Sequence, residues 1–142
     1  MKSVTVPLEL INLQNDGFHI LVEVVVFGHP FNVVLDTGAS KTVFDKTCVE
    51  NHITPEELLT SDKLSTGLGT TSMESFILNL PEIRLGKLKI KNFEIAILDL
   101  STICQAYENL QLPPVIGVLG GDILQEYNAV INYNKLTLKL GK

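Results

Sequence analysis

The sequence predicts an all-β protein, a closed barrel with one or two short helices, formed by a single domain over residues 1–142. Three observations predict it. The chain has 142 residues and 45% hydrophobic content, enough to bury one core. Short runs rich in β-branched and aromatic residues recur along most of its length. Helix start signals are few by comparison.

Residues 4–13 and 18–27 are the first two apolar runs, separated by Gln14-Asn15-Asp16-Gly17, whose Asp-Gly pair favours a hairpin. Gly28-His29-Pro30 turns the chain into a third run, Phe31-Asn32-Val33-Val34-Leu35. Ser40 is placed to cap a short turn through Phe44 or beyond. Thr54-Pro55-Glu56-Glu57-Leu58-Leu59 supplies a cap, a proline at the first position and early acids, the pattern of one or two helical turns. A small-residue stretch follows, Ser65-Thr66-Gly67-Leu68-Gly69-Thr70-Thr71-Ser72. Ile83-Arg84-Leu85, Leu88-Lys89-Ile90 and residues 93–98 alternate apolar and polar side chains, with Gly86-Lys87 and Lys91-Asn92 as breaks. Residues 101–110 fit a short helix or a loop, and Pro113-Pro114 ends either one. A strand over 115–119, a short helix over 123–127, a strand over 128–133 and a last strand over 136–140 complete the chain, with Asn134-Lys135 as the final turn.

Chemistry concentrates at Leu35-Asp36-Thr37-Gly38-Ala39-Ser40. A carboxylate directly after an apolar strand needs hydrogen bonds to hold it, and Thr37, Gly38 and the local N–H groups can supply them. Asp-Thr-Gly by itself also makes an ordinary turn. What distinguishes it here is a second segment far downstream, Val118-Leu119-Gly120-Gly121-Asp122-Ile123-Leu124, followed by Asn128-Ala129-Val130-Ile131-Asn132-Tyr133.

Together the two segments resemble the retroviral-type aspartic proteases, or retropepsins, and their single-domain cellular relatives, over roughly residues 18–140. The resemblance implies an acid-protease-type barrel, one pepsin-like lobe per chain, with a flap hairpin. It makes Asp36 the catalytic acid, gives Thr37 a hydrogen bond across to the partner motif, and points the Gly38 amide toward the attacking water. Ala39, with Gly67, Leu68 and Gly69 at the flap tip, would contact the substrate. Gly120 would let the second motif pass close against the Asp36 loop. Many viral enzymes carry an Arg at the position of Gly121 and an Asp at that of Ser40. Both are missing here, so no buried charge is stranded, and the departure bears on the viral mode of bracing the dimer and not on the active site. Asp122 is read as an N-cap for residues 123–127 or as having a role of its own.

The family mechanism needs two facing carboxylates, and the chain holds one such motif, so the resemblance implies a homodimer with Asp36 from each copy. Two carboxylates in van der Waals contact cannot both ionise, so the pair shares a proton. One member then takes a proton from water while the other donates to the carbonyl oxygen of an extended peptide substrate. Ala39 provides no hydroxyl to bond the acid, which implies a mildly acidic optimum. The rival reading is a catalytically silent module of the same fold that binds peptides or scaffolds.

Other classes find little support. His19, His29 and His52 are isolated and read as surface or turn residues, and Cys48 and Cys104 form no paired-ligand motif, so neither metal nor cofactor is expected. The Gly67-Leu68-Gly69 stretch lacks the Lys of a phosphate loop. Gly-x-Ser-x-Gly is absent. A formal charge of −5 and a pI near 5.1 disfavour nucleic acid. Lys87, Lys89 and Lys91 alternate as a solvated strand face would. No apolar run of membrane-spanning length occurs, the start does not read as a secretory signal, and cytoplasmic residence with reduced thiols is the expectation.

Overall fold

The computed structural model describes residues 3–14, 17–60 and 75–142. Ten strands are assigned among them: β1 (Ser3–Asn12), β2 (Phe18–Val26), β3 (His29–Leu35), β4 (Val43–Asp45), β5 (Leu59–Thr60), β6 (Phe76–Leu85), β7 (Leu88–Leu98), β8 (Val115–Leu119), β9 (Val130–Asn132) and β10 (Thr137–Gly141). The helices are α1 (Lys46–Glu50), α2 (Ser101–Asn109) and α3 (Gly121–Glu126), with a 3-10 turn at Pro55–Glu57.

The barrel closes through six of the strands. β2 pairs antiparallel with β3, β3 parallel with β8, β8 antiparallel with β4, β4 parallel with β7, and β7 antiparallel with β6. A pairing of Val25 with Arg84 joins β6 back to β2 and shuts the ring. β1 belongs to two sheets: its first half pairs with β10 and its second half with β2. β9 lies outside β10 as a short edge.

Side-chain alternation explains the two apolar clusters. Successive strand residues face opposite sides, so Ile20, Val22, Val24 and Val26 of β2 point into the barrel with Val33 of β3. Their neighbours Leu21 and Val34 point outward. There they pack with Ile11, Val115 and Tyr107 in a second cluster, whose Tyr107 comes from α2. The helix thus covers a barrel face that would otherwise expose large apolar side chains.

Several local readings change. The second turn is shorter than expected: Val26 pairs with His29, and Phe27 and Gly28 both have positive φ (56° and 76°), the two-residue turn that matches strand twist. The segment after Ser40 is not a helical turn to Phe44. It enters strand β4, and helix α1 begins only at Lys46, capped by Asp45. β7 continues through Lys91-Asn92, where the expected break is a local irregularity: Asn92 has positive φ (49°) and the ladder skips it opposite Pro81. At Thr54 the expected cap is present, with Glu57 accepting from the Thr54 N–H at 2.8 Å. The ambiguous 101–110 stretch is helix α2.

Candidate active site

Asp36 follows β3 directly, at the point where β3 and β8 end side by side. Val34 pairs with Val118 and Leu35 with Leu119, and the Asp36 N–H extends the ladder to the Leu119 carbonyl at 3.0 Å. The carboxylate is thereby fixed by its strand yet remains exposed. Its Oδ1 accepts from the Gly38 N–H at 2.9 Å, and the Asp36 carbonyl accepts from Ala39 N–H at 3.2 Å. Asp36, Thr37 and Gly38 therefore form one tight turn, with all three exposed and Ala39 half-buried behind them.

Two glycines, Gly120 of the second motif and Gly117 of β8, make room for this turn. A Cβ on Gly120 would sit 2.7 Å from the Lys41 backbone and 2.8 Å from the Ala39 carbonyl oxygen, closer than real side chains approach. One on Gly117 would lie 2.0 Å from the Val43 carbonyl oxygen. The chain from Ala39 to Phe44 thus wraps β8 in backbone contact, as expected at Gly120 and unanticipated at Gly117.

Thr42, fully buried, locks the wrap. Its N–H and Oγ1 donate to the two Asp122 oxygens at 2.9 and 2.8 Å, while Oγ1 accepts from the Gly120 N–H at 3.1 Å. Asp122 also accepts from the Ile123 N–H at 2.9 Å, but Gly120 occupies the N-cap of α3, so Asp122 serves chiefly to bind the Asp36 loop. The Gly121 N–H adds a bond to the Ala39 carbonyl at 2.7 Å. Backbone contacts and a Thr–Asp clasp thus brace the Asp36 loop within the chain. Nothing in the sequence marked Thr42 beyond its being a polar residue between Lys41 and an apolar pair.

A cavity of about 260 Å³ opens beside the acid, lined by Asp36, Thr37, Val34, Leu35, Leu10, Phe18, His19, Ile20, Ile131 and Tyr133. His19 belongs to this wall and is half-buried, with Nδ1 2.8 Å from the Tyr107 hydroxyl, so the surface or turn reading does not hold for it. His52 is an exposed turn residue as expected, with its ring stacked on Phe27 at 5.0 Å and edge-on to Phe31 at 5.5 Å. Gly67, Leu68 and Gly69 lie outside the described residues. Among the described residues no cluster of His, Cys, Asp and Glu has the arrangement of a metal site, and no helix is long and apolar enough to cross a membrane.

Comparison with known proteins places this geometry. The family described as aspartyl protease matches residues 22–123. A retropepsin-like aspartic protease from Rickettsia conorii superposes with a TM-score of 0.58 at 20% identity, covering 99% of this chain and 94% of that one. The retroviral protease-like domain of Ddi1 from Leishmania major gives 0.60 at 13% identity, covering 84% and 86%. The EIAV protease, complexed with the inhibitor HBY-793, gives 0.51 at 25% identity, covering 75% and 85%. None of the curated proteins matches the sequence significantly.

Proposed function

The chain belongs to the aspartyl protease family and has the retropepsin-like fold, and from that premise we propose that it is an aspartic endopeptidase whose active site forms between two copies. Asp36 of each copy would face the other across a twofold axis and hold one water between the carboxylates. The ionised carboxylate removes a proton from that water, and the protonated one donates to the peptide carbonyl oxygen as water oxygen bonds to carbon. Collapse of the tetrahedral intermediate releases a carboxylate and an amine, with no covalent enzyme intermediate.

The observation that carries the reading is the exposed Asp36 carboxylate, anchored through the Leu119 carbonyl and Gly38 N–H at the mouth of a cavity. Exposed apolar side chains around it favour a second copy: Leu10, Phe18 and Tyr133 line that cavity, and Val130 stands on the edge strand β9. Thr37, on the rim, is placed to bond across the axis. An extended peptide would lie as an added strand, with side-chain pockets choosing the sequence.

The test incubates wild type and Asp36→Asn with a diverse peptide library and reads cut sites by mass spectrometry, with sedimentation on the same samples. Wild type should cut as a dimer, and Asp36→Asn should dimerise without cutting. Equal cleavage by both proteins would remove Asp36 from the mechanism, and cleavage by a strict monomer would remove the second copy.

A further inference from the structure

The mechanism leaves one polar pair beside Asp36 unused. His19, at the start of β2, and Tyr107, on α2, meet across 88 residues of sequence, with Nδ1 2.8 Å from the hydroxyl and the rings stacked at 5.8 Å and 25°. Tyr107 is 1% exposed and packed among Ile11, Leu21, Val34 and Val115. Burial pushes its phenol up to about 12, so the hydroxyl keeps its proton. With that hydroxyl donating to Nδ1, one hydrogen bond satisfies the phenol and that ring nitrogen, and the ring tautomer that fits it carries its hydrogen on Nε2. No other hydrogen bond to the ring is formed among the described residues, and the ring lines the cavity that contains Asp36. The rest of the wall mixes apolar side chains of Leu10, Phe18 and Ile131 with polar groups from Asp36, Thr37 and Tyr133.

We propose that His19, oriented by Tyr107, is a specificity-determining residue that donates a hydrogen bond to a substrate side chain next to the scissile bond. This rests on the peptidase reading of the same site. A mixed wall of this kind accepts a side chain with an apolar stem and an acyl oxygen at its end. Glutamine and glutamate fit that description, and methionine, of similar length, offers no such acceptor. Leaving the Nε2 hydrogen unpaired under an aliphatic side chain is what sets the preference. Tyr107 is a positioning residue: it fixes the tautomer and ring plane without touching substrate.

Two hydroxyethylene peptides serve as probes, identical except that the side chain beside the hydroxyl is that of Gln or of Met. Calorimetry on wild type should show the Gln ligand binding about five- to tenfold tighter, the scale of one buried neutral hydrogen bond. His19→Phe should equalise the two, His19→Gln should restore part of the difference, and Tyr107→Phe should reduce it. Nitrogen NMR of the unliganded protein should show His19 with hydrogen on Nε2. Equal affinities in wild type, an unchanged preference in His19→Phe, no binding of either ligand, or a hydrogen on Nδ1 would each overturn the proposal. Cleavage of the library bears on Asp36 alone. A protein that cuts without the glutamine preference sinks this inference and spares the peptidase reading, while one with the preference and no cleavage does the reverse.

Discussion

Thr42 ties the Asp36 loop to the second motif through a single hydroxyl. Its hydroxyl both donates to Asp122 and accepts from the Gly120 N–H, so removing it orphans groups on two elements at once. Thr42→Val keeps shape and burial but leaves a carboxylate oxygen and an amide without that partner. The expected loss is about 2–3 kcal/mol in chemical denaturation. Asp122→Asn keeps one carbonyl oxygen for the Thr42 N–H and should cost about half as much. A Thr42→Val protein as stable as wild type would show that the clasp holds nothing. The contrast between Asp36 and Thr42 is instructive about what a sequence displays. Asp36 is legible because its turn chemistry is local, with Gly38 two residues away. Thr42 is not, because its partners lie about 80 residues downstream and only the fold joins them. The same holds for His19, whose neighbour Tyr107 sits in a stretch that reads equally as loop.

Among elements, the long strands and the one bounded by prolines and glycines were legible, since alternation over several residues leaves a record. β8 falls at its expected bounds of 115–119. β4 has three residues, too few for any period, and its existence depends on β7 and β8 lying on either side. Phe27 read as strand because it ends the apolar run 18–27, and its positive φ of 56° is rare for a bulky aromatic. Its contact with His52, stacked at 5.0 Å and 1°, offsets that strain through a residue distant in sequence. The junction after β4 depends on Asp45, 4% exposed, which joins two elements through one carboxylate. Oδ2 accepts from the Cys48 N–H at 3.2 Å to cap α1, and Oδ1 accepts from the Leu100 N–H at 2.8 Å where the chain enters α2. Asp45→Ala should therefore cost about 2 kcal/mol, more than an ordinary cap, because two half-buried N–H groups lose an acceptor. Asp45→Asn should recover part of it. Hydrogen exchange would localise the effect, with Leu100 and Cys48 amides opening together in Asp45→Ala. Faster exchange at Cys48 alone would mean that the carboxylate is a cap and nothing more.

At the scale of the whole molecule, the wrapping of one β-barrel by α1 and α2 buries acids that ionise only at high pH. The Cys48 thiol is raised from 9.0 to about 11 by burial first, then by its hydrogen bond to Asp45 and that carboxylate's charge. Cys104 is raised in the same direction by burial and by Asp45 and Asp99, and Tyr107 is pushed up to about 12 by burial. Each of these groups holds its proton more tightly folded than unfolded. Below about pH 9 both states are protonated at these sites, and the full contribution to stability is present. Above it the unfolded chain releases protons that the folded chain keeps, so stability falls from about pH 9 through about pH 12. Thermal melts at constant ionic strength should therefore drop across this window. Lysines titrate there as well, so the decisive comparison is between variants that share them. Cys48→Ser should flatten the slope between pH 9 and 11, and Tyr107→Phe should flatten its upper part, whatever each does to stability at neutral pH. Slopes identical to wild type in both variants would mean that neither proton is retained on folding, and that the face between α2 and the barrel admits water.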